Sequence, residues 1–163
     1  MTTTTLPQTT RQPRRKLLYI VGAAIGLILV AAIVYGVIMM RMMNTPAPAG
    51  LDLSLSKPTD QGLYRATIAS RLDPIAINQM HAWTIHVETP NGQPVEKAEI
   101  LVDGGMPQHG HGLPTQPKVT RYLGHGDYLI EGMKFNMPGW WVLKFQVSAN
   151  DRPDTVTFNL VLN

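Results

Sequence analysis

Residues 139–147 read Gly-Trp-Trp-Val-Leu-Lys-Phe-Gln-Val, and apolar side chains recur there at every second position. In an extended chain, Trp141, Leu143 and Phe145 would share one face, and Trp140 and Lys144 would share the other. The pattern predicts a strand that packs one face against a core. Trp141 is then a buried anchor, and Trp140 is a partly exposed ring.

Similar alternating runs fill the second part of the chain, and turn-forming residues separate them. The runs cover residues 51–55, 64–68, 83–87, 100–102, 128–130 and 156–162, with turn signals near 60–62, 91–92, 124–126, 138–139 and 150–153. Seven or eight short strands at this spacing are typical of an all-β fold. We therefore predict an immunoglobulin-like antiparallel β-sandwich, for which roughly 110 residues suffice.

The chain begins with a segment of a different kind. Residues 17–40 carry no charge, and at about 1.5 Å per residue a helix of this length extends over roughly 36 Å, enough to cross a bilayer. We predict a disordered cytoplasmic tail over 1–16, a single transmembrane signal anchor over 17–43, a Pro-rich linker over 44–50 and an extracytoplasmic domain over 51–163. Cleavage after one of the Ala residues of the apolar run is the alternative.

The basic residues give the orientation of this segment. Arg14, Arg15 and Lys16 precede the apolar run together with Arg11, whereas Arg41 follows it. The positive-inside rule then places the N-terminus in the cytoplasm and the large domain outside, in the periplasm of a bacterium with two membranes. Spaced small residues at Gly22 and Gly26 are compatible with contact to another membrane helix, or with the ordinary abundance of Gly in such spans.

Composition excludes several classes of function. The net charge of +3 and the pI of 9.3 come from the membrane flank, since acidic residues outnumber basic ones after residue 43. A weakly acidic domain has no footprint for nucleic acid. Cysteine is absent, so disulfides and thiolate sites are excluded. With no activated Ser and no phosphate-cradling loop, we do not expect an enzyme.

Residues 103–115, Asp-Gly-Gly-Met-Pro-Gln-His-Gly-His-Gly-Leu-Pro-Thr, are predicted to form a long loop because Gly and Pro are so frequent there. His109 and His111 would point the same way in an extended backbone, and Met106 is within reach. Imidazole and thioether together suit copper, and the soft sulfur favours Cu(I). Zinc remains possible, whereas the lack of Asp or Glu after Asp103 argues against Ca²⁺ or Mg²⁺.

Met137 would complete this set if its loop and the His loop share one end of the sandwich. The predicted metal ligands are therefore Met106, His109, His111 and Met137. The alternative is that both imidazoles are simply solvated in a turn.

Two other side chains also leave alternatives open. Trp140 could cap a soft metal, lie at the membrane interface, dock a partner or pack across strands; His81 could be a buried, hydrogen-bonded side chain or an extra ligand.

Three stretches resemble a known family: residues 78–87 (NQMHAWTIHV), the loop DGGMPQHGHGLPT, and residues 131–147 (EGMKFNMPGWWVLKFQV). They are similar to the YtkA-like domain proteins, which are related to the FixH family. The resemblance covers roughly Leu63–Val147 and implies a membrane helix followed by a small extracytoplasmic β-sandwich. Because FixH-type proteins are associated with assembly of cbb3-type cytochrome oxidase, it also implies copper handling beside a membrane oxidase or a copper-transporting ATPase.

The hypothesis drawn from the sequence is a membrane-anchored periplasmic copper-binding protein that acts in copper delivery or oxidase assembly. One alternative is a non-metal interaction module, in which the His loop and Trp140 form a protein-binding edge. A second is a carrier of a small organic ligand, which would need a large apolar pocket.

Overall fold

The computed structural model describes residues 14–43 and 46–163. Helix α1, Arg14–Met43, begins within the segment predicted as a tail; the rest of that segment, residues 1–13, and linker residues 44 and 45 lie outside the described residues. Lys16–Arg41 has a mean hydropathy of 2.8 and exposed side chains. By length and composition this helix is able to cross a membrane, a property that signal anchors share with signal sequences.

The rest of the described chain forms nine strands in two antiparallel sheets, which confirms the predicted β-sandwich. One sheet has the order β1-β2-β3-β7-β6 and the other the order β5-β4-β8-β9. The strands are β1 (Ser56–Pro58), β2 (Arg65–Ser70), β3 (His81–Glu88), β4 (Glu99–Met106), β5 (His111–Gly112), β6 (Lys118–Gly124), β7 (Asp127–Met133), β8 (Gly139–Ala149) and β9 (Arg152–Leu162).

The core lies between the inward faces of β3 and β7 in one sheet and β8 and β9 in the other. The predicted alternation in β8 is confirmed: Trp141, Leu143 and Phe145 are fully buried. Burying a large apolar side chain stabilises a fold by about 1.5–3 kcal/mol, so this strand contributes heavily to the core. Trp140 lies on the other face, half-buried, and its indole N–H donates to Asn159 Oδ1 at 3.0 Å. This contact favours cross-strand packing as the role of Trp140.

The predicted strand over residues 51–55 is wrong. Leu53 and Leu55 are exposed, and β1 begins only at Ser56. The segment is held by polar contacts instead, since Asn159 Nδ2 donates to the carbonyl of Asp52 and Ile68 N–H donates to that of Leu55. Alternation alone could not predict this, because a strand also needs a neighbouring strand to complete its hydrogen bonds.

The predicted long loop over residues 103–115 is also wrong, because most of it is a β-hairpin. Strand β4 continues through Gly104 and Gly105 to Met106, and β5 returns antiparallel from His111. A Cβ at Gly104 would clash with the carbonyl oxygen of Val142, and one at Gly105 with that of His111. Glycine here therefore permits close strand approach, although its frequency in this stretch had indicated a loop.

Candidate metal site

The β4–β5 hairpin brings two of the predicted ligands together. Met106 and His111 are direct cross-strand partners, and the turn between them is closed by N–H groups of His109 and Gly110, which both donate to the Met106 carbonyl at 3.0 Å. Directly opposite residues of an antiparallel pair share one face, with Cβ atoms about 4.5–5.5 Å apart. The thioether and the imidazole therefore start from adjacent positions on the same side of the hairpin.

The ring of His109 completes a group of three donors. It stacks on His111 with a centroid separation of 5.8 Å and an interplanar angle of 26°. A metal–imidazole bond is about 2.0 Å, so two imidazoles on one ion have centroids about 5–6 Å apart. The observed centroid separation lies within this range. His109 is half-buried and His111 is exposed, so both are accessible.

A backbone contact sets the tautomer of His111. Its Nδ1 lies 3.2 Å from the carbonyl oxygen of Gly112. Since a carbonyl can only accept, Nδ1 is the donor, and Nε2 of the neutral ring keeps its lone pair. Histidines that bind metals usually donate their second nitrogen to a backbone carbonyl or a carboxylate in this way. The side chain is therefore prepared to bind through Nε2.

Met106 forms the buried side of the group, with 1% of its surface exposed. Its methyl carbon lies beside Gly139, where an added Cβ would come within 2.9 Å. Met137, two residues earlier, is half-buried against the core, and its carbonyl accepts the Trp141 indole N–H at 3.0 Å. The His hairpin and the Met137 segment therefore lie at the same end of the sandwich, as a joint site requires.

Trp141 is the neighbour that sequence reasoning missed. Its ring contacts His111 edge to face at a centroid distance of 6.0 Å and Phe135 at 5.0 Å. Alternation predicted Trp141 as a core residue, and the structure adds that the same ring walls the candidate site. The sequence does not reveal this contact because it does not show that β4 and β8, which are distant in sequence, are neighbouring strands.

His81 lies on the other sheet at the same end. The Trp83 indole N–H donates to its Nδ1 at 2.9 Å, so in the neutral ring the proton is on Nε2. Within the described part of the chain, this Nε2 is buried without a hydrogen-bond partner. Burial lowers the pKa of His81 below its ordinary value. Because neither nitrogen then offers a free lone pair, the contact favours a structural His81 over an extra ligand.

In the described part of the chain, histidine and carboxylate groups do not form a separate metal cluster. His86 Nδ1 lies 2.8 Å from Asp127 Oδ1, and its Nε2 lies 3.7 Å from Glu88 Oε2, on the outer face of the sheet. Among residues 14–43 and 46–163, no group of three or more His, Cys, Asp or Glu side chains is arranged to hold an ion. A site at the hairpin therefore depends on its thioether donors.

The opposite end of the sandwich carries a surface groove of about 490 Å³. Its walls include Leu63 and Val95, but also the charged residues Glu96, Lys97 and Arg152. These charged walls distinguish the groove from the predominantly apolar pocket that a carrier of an organic ligand would need.

An apolar N-terminal helix, a small antiparallel sandwich and a His/Met hairpin at one of its ends define the class of protein. The family model described as YtkA-like matches residues 60–146, more than half of the chain. The chain therefore belongs to the YtkA-like family, and the match includes the whole β4–β5 hairpin. The comparisons with curated proteins and with solved structures give no match. The relation to FixH stays a prediction.

Proposed function

We propose that this YtkA-like protein is a membrane-anchored copper-binding protein that passes the ion to, or accepts it from, a membrane protein. The observation that carries the proposal is the hairpin, which makes Met106 and His111 cross-strand partners and stacks His109 on His111. Met137 is the fourth proposed donor. A membrane oxidase as acceptor and a copper-transporting ATPase as donor are the proposed partners.

The donor chemistry supports copper as the cargo. Thioether sulfur selects soft ions, and imidazole serves both oxidation states of copper. The buried Met106 would hold the ion on the core side, and the accessible rings of His109 and His111 would leave it open to solvent on the other side. Such an arrangement suits a protein that must release what it binds. The residues assigned to the site bind and orient the ion, and we propose no enzymatic activity.

The helix supports a location at the membrane. We propose that α1 remains as a single-pass anchor in the inner membrane, with the N-terminus in the cytoplasm and the sandwich in the periplasm. Gly22 and Gly26 have no side chains, and a Cβ added at either would meet nothing within 4 Å beyond its chain neighbours and the nearby helix backbone. This leaves a smooth strip on the helix, which we propose as its contact with a partner helix.

Competition for Cu(I) tests the proposal. The full chain in detergent is titrated against a chromogenic Cu(I) chelator, and we expect one Cu(I) per chain with submicromolar affinity. The double change His109→Ala with His111→Ala should weaken binding at least 100-fold, about 2.7 kcal/mol, since both nitrogen donors are lost.

The matched control removes two imidazoles elsewhere, by His86→Ala with His125→Asn. His86 lies on the outer face of the sheet and His125 in the β6–β7 turn, where its φ of 53° suits Asn. This control should bind as tightly as the wild type. Equal loss in both double variants, or wild-type affinity weaker than micromolar, would contradict copper binding at the hairpin and leave the non-metal interaction module as the remaining hypothesis.

A further inference from the structure

We infer that the hairpin site, if it binds copper as proposed, selects monovalent soft cations such as Cu(I) and Ag(I) over divalent Cu(II) and Zn(II). This inference rests on the proposed function and specifies the charge of its cargo. It follows from three features of the described residues: the hairpin offers only neutral donors, a buried wall closes its core side, and one of its donors is sulfur.

The first feature is the absence of an anionic donor from the ion-facing side of the hairpin. Asp103 is the acidic residue of β4 closest to Met106, but it lies three positions away and therefore on the opposite face of the strand. Its Oδ1 accepts the N–H of Gly104 at 2.7 Å, and its register partner in the neighbouring strand β8 is Lys144. An ion held by Met106, His109 and His111 would receive no compensating negative charge from this strand.

The second feature is the wall on the core side. Trp141 and Phe135 are fully buried, and Met106 is 1% exposed, so an ion between Met106 and His111 loses its hydration on that side. The cost of moving an ion from water toward a low-dielectric region rises with the square of its charge. Since all donors are neutral, the free energy needed to desolvate a divalent ion would be roughly four times that for a monovalent ion of the same size.

The third feature acts in the same direction through bonding preference. A thioether is a weak ligand for Zn(II), which prefers thiolate, imidazole and carboxylate, whereas it binds Cu(I) and Ag(I) well.

A single substitution can reverse the first feature without disturbing the core. His109 lies in the turn between β4 and β5 and is half-buried, so it tolerates other polar side chains. His109→Asp adds a carboxylate at the site, and His109→Asn adds a neutral side chain of the same shape. The two variants therefore differ in the charge of one donor.

The test is equilibrium dialysis of the full chain in detergent against Ag(I), which is not oxidised in air, and Zn(II), followed by metal analysis. For the wild type we expect bound Ag(I) to resist a tenfold excess of Zn(II). The ratio of Ag(I) affinity to Zn(II) affinity should be at least tenfold lower in His109→Asp than in His109→Asn. Met106→Leu should lower Ag(I) affinity at least tenfold and leave Zn(II) affinity unchanged.

The outcomes separate this inference from the proposed function. If neither metal is retained by the wild type, the site does not bind copper-like ions and both proposals fail. If Zn(II) displaces Ag(I) at equal concentration, or if the Asp and Asn variants show the same affinity ratio, the site binds metal without charge selection. In that case the inference alone is overturned.

Discussion

The two ends of the sandwich use their polar side chains in different ways. At the end near the β8–β9 turn, which we call the tyrosine end, the Tyr64 hydroxyl lies 2.7 Å from the Arg152 carbonyl and accepts the N–H of Ala149 at 3.2 Å. At the other end, which we call the hairpin end, the ring of His109 stacks on that of His111, and Met106 is the cross-strand partner of His111.

Asp154 shows how completely the tyrosine end is satisfied. Its buried carboxylate accepts backbone N–H groups from Gln61, Leu63 and Thr155 at 2.8–3.2 Å. Burial alone would raise the pKa of Asp154, but hydrogen bonds from Thr59 and from those backbone groups outweigh it, and the pKa is lowered. The Asp154 carboxylate thus serves the fold, whereas the hairpin end keeps the accessible imidazoles of His109 and His111. Accessible donor atoms of this kind are where ligand binding is to be sought.

Asp154→Ala should give the largest effect on stability. Three backbone N–H groups would lose their acceptor in a buried place, at a cost of about 1–3 kcal/mol each where water cannot replace it. We expect the free energy of unfolding to fall by about 3 kcal/mol or more in urea titrations of the full chain in detergent. The folded fraction should keep its affinity for Cu(I).

The hairpin end supplies the reverse comparison. His109→Ala with His111→Ala removes accessible side chains and should change the free energy of unfolding by less than about 0.5 kcal/mol, although it removes copper binding. A stability loss as large as that of Asp154→Ala would show that the hairpin histidines are structural, and the contrast between the two ends would disappear.

Gly139→Ala should have the second largest effect, because it places two strains at the hairpin end. The φ of Gly139 is +119°, a conformation that costs other residues about 1–3 kcal/mol, and the new Cβ would also press on the Met106 methyl group. Gly124→Ala is the matched control, since φ there is +99° and a Cβ would meet nothing within 4 Å.

The difference between these two alanine variants isolates the contact with Met106. Both should lose stability in urea titrations, Gly139→Ala by about 1 kcal/mol more, as is usual for overpacking. Gly139→Ala alone should also weaken Cu(I) binding, because the thioether is displaced. Equal copper affinity in both variants would mean that the position of Met106 does not matter for the site.

The sequence predicted the sandwich because buried strands such as β8 carry a strong period of two, and Trp141 and Phe145 could be placed in the core from that period alone. It also placed Met106, His109 and His111 near one another, since they lie within six residues. It could not predict that Gly104 and Gly105 belong to a strand, because only the neighbouring backbones explain why side chains are absent there. The position of Trp141 beside the site could not be predicted for the same reason, because it depends on which strands are paired.

A pH titration should show the smallest effect, at His81. Burial disfavours the charged ring, so the pKa of His81 in the folded state lies below its ordinary value of 6.5. Unfolded chains then take up a proton more readily, so the stabilising contribution is complete above pH 6.5 and decreases as the pH falls below it. Protonation at Nδ1 would also break the hydrogen bond that the Trp83 indole donates.

We therefore expect the free energy of unfolding of the wild type to decrease between pH 7.5 and pH 5, a range that lies above the titration of Asp154, whose pKa is lowered from 3.8. His81→Gln keeps an acceptor for the Trp83 N–H but removes the titration, so its unfolding free energy should depend less on pH over this interval. His125→Asn, in the exposed β6–β7 turn, should keep the wild-type dependence. If the free energies of unfolding of the two variants depend equally on pH, the buried ring of His81 is not the cause of the loss of stability at low pH.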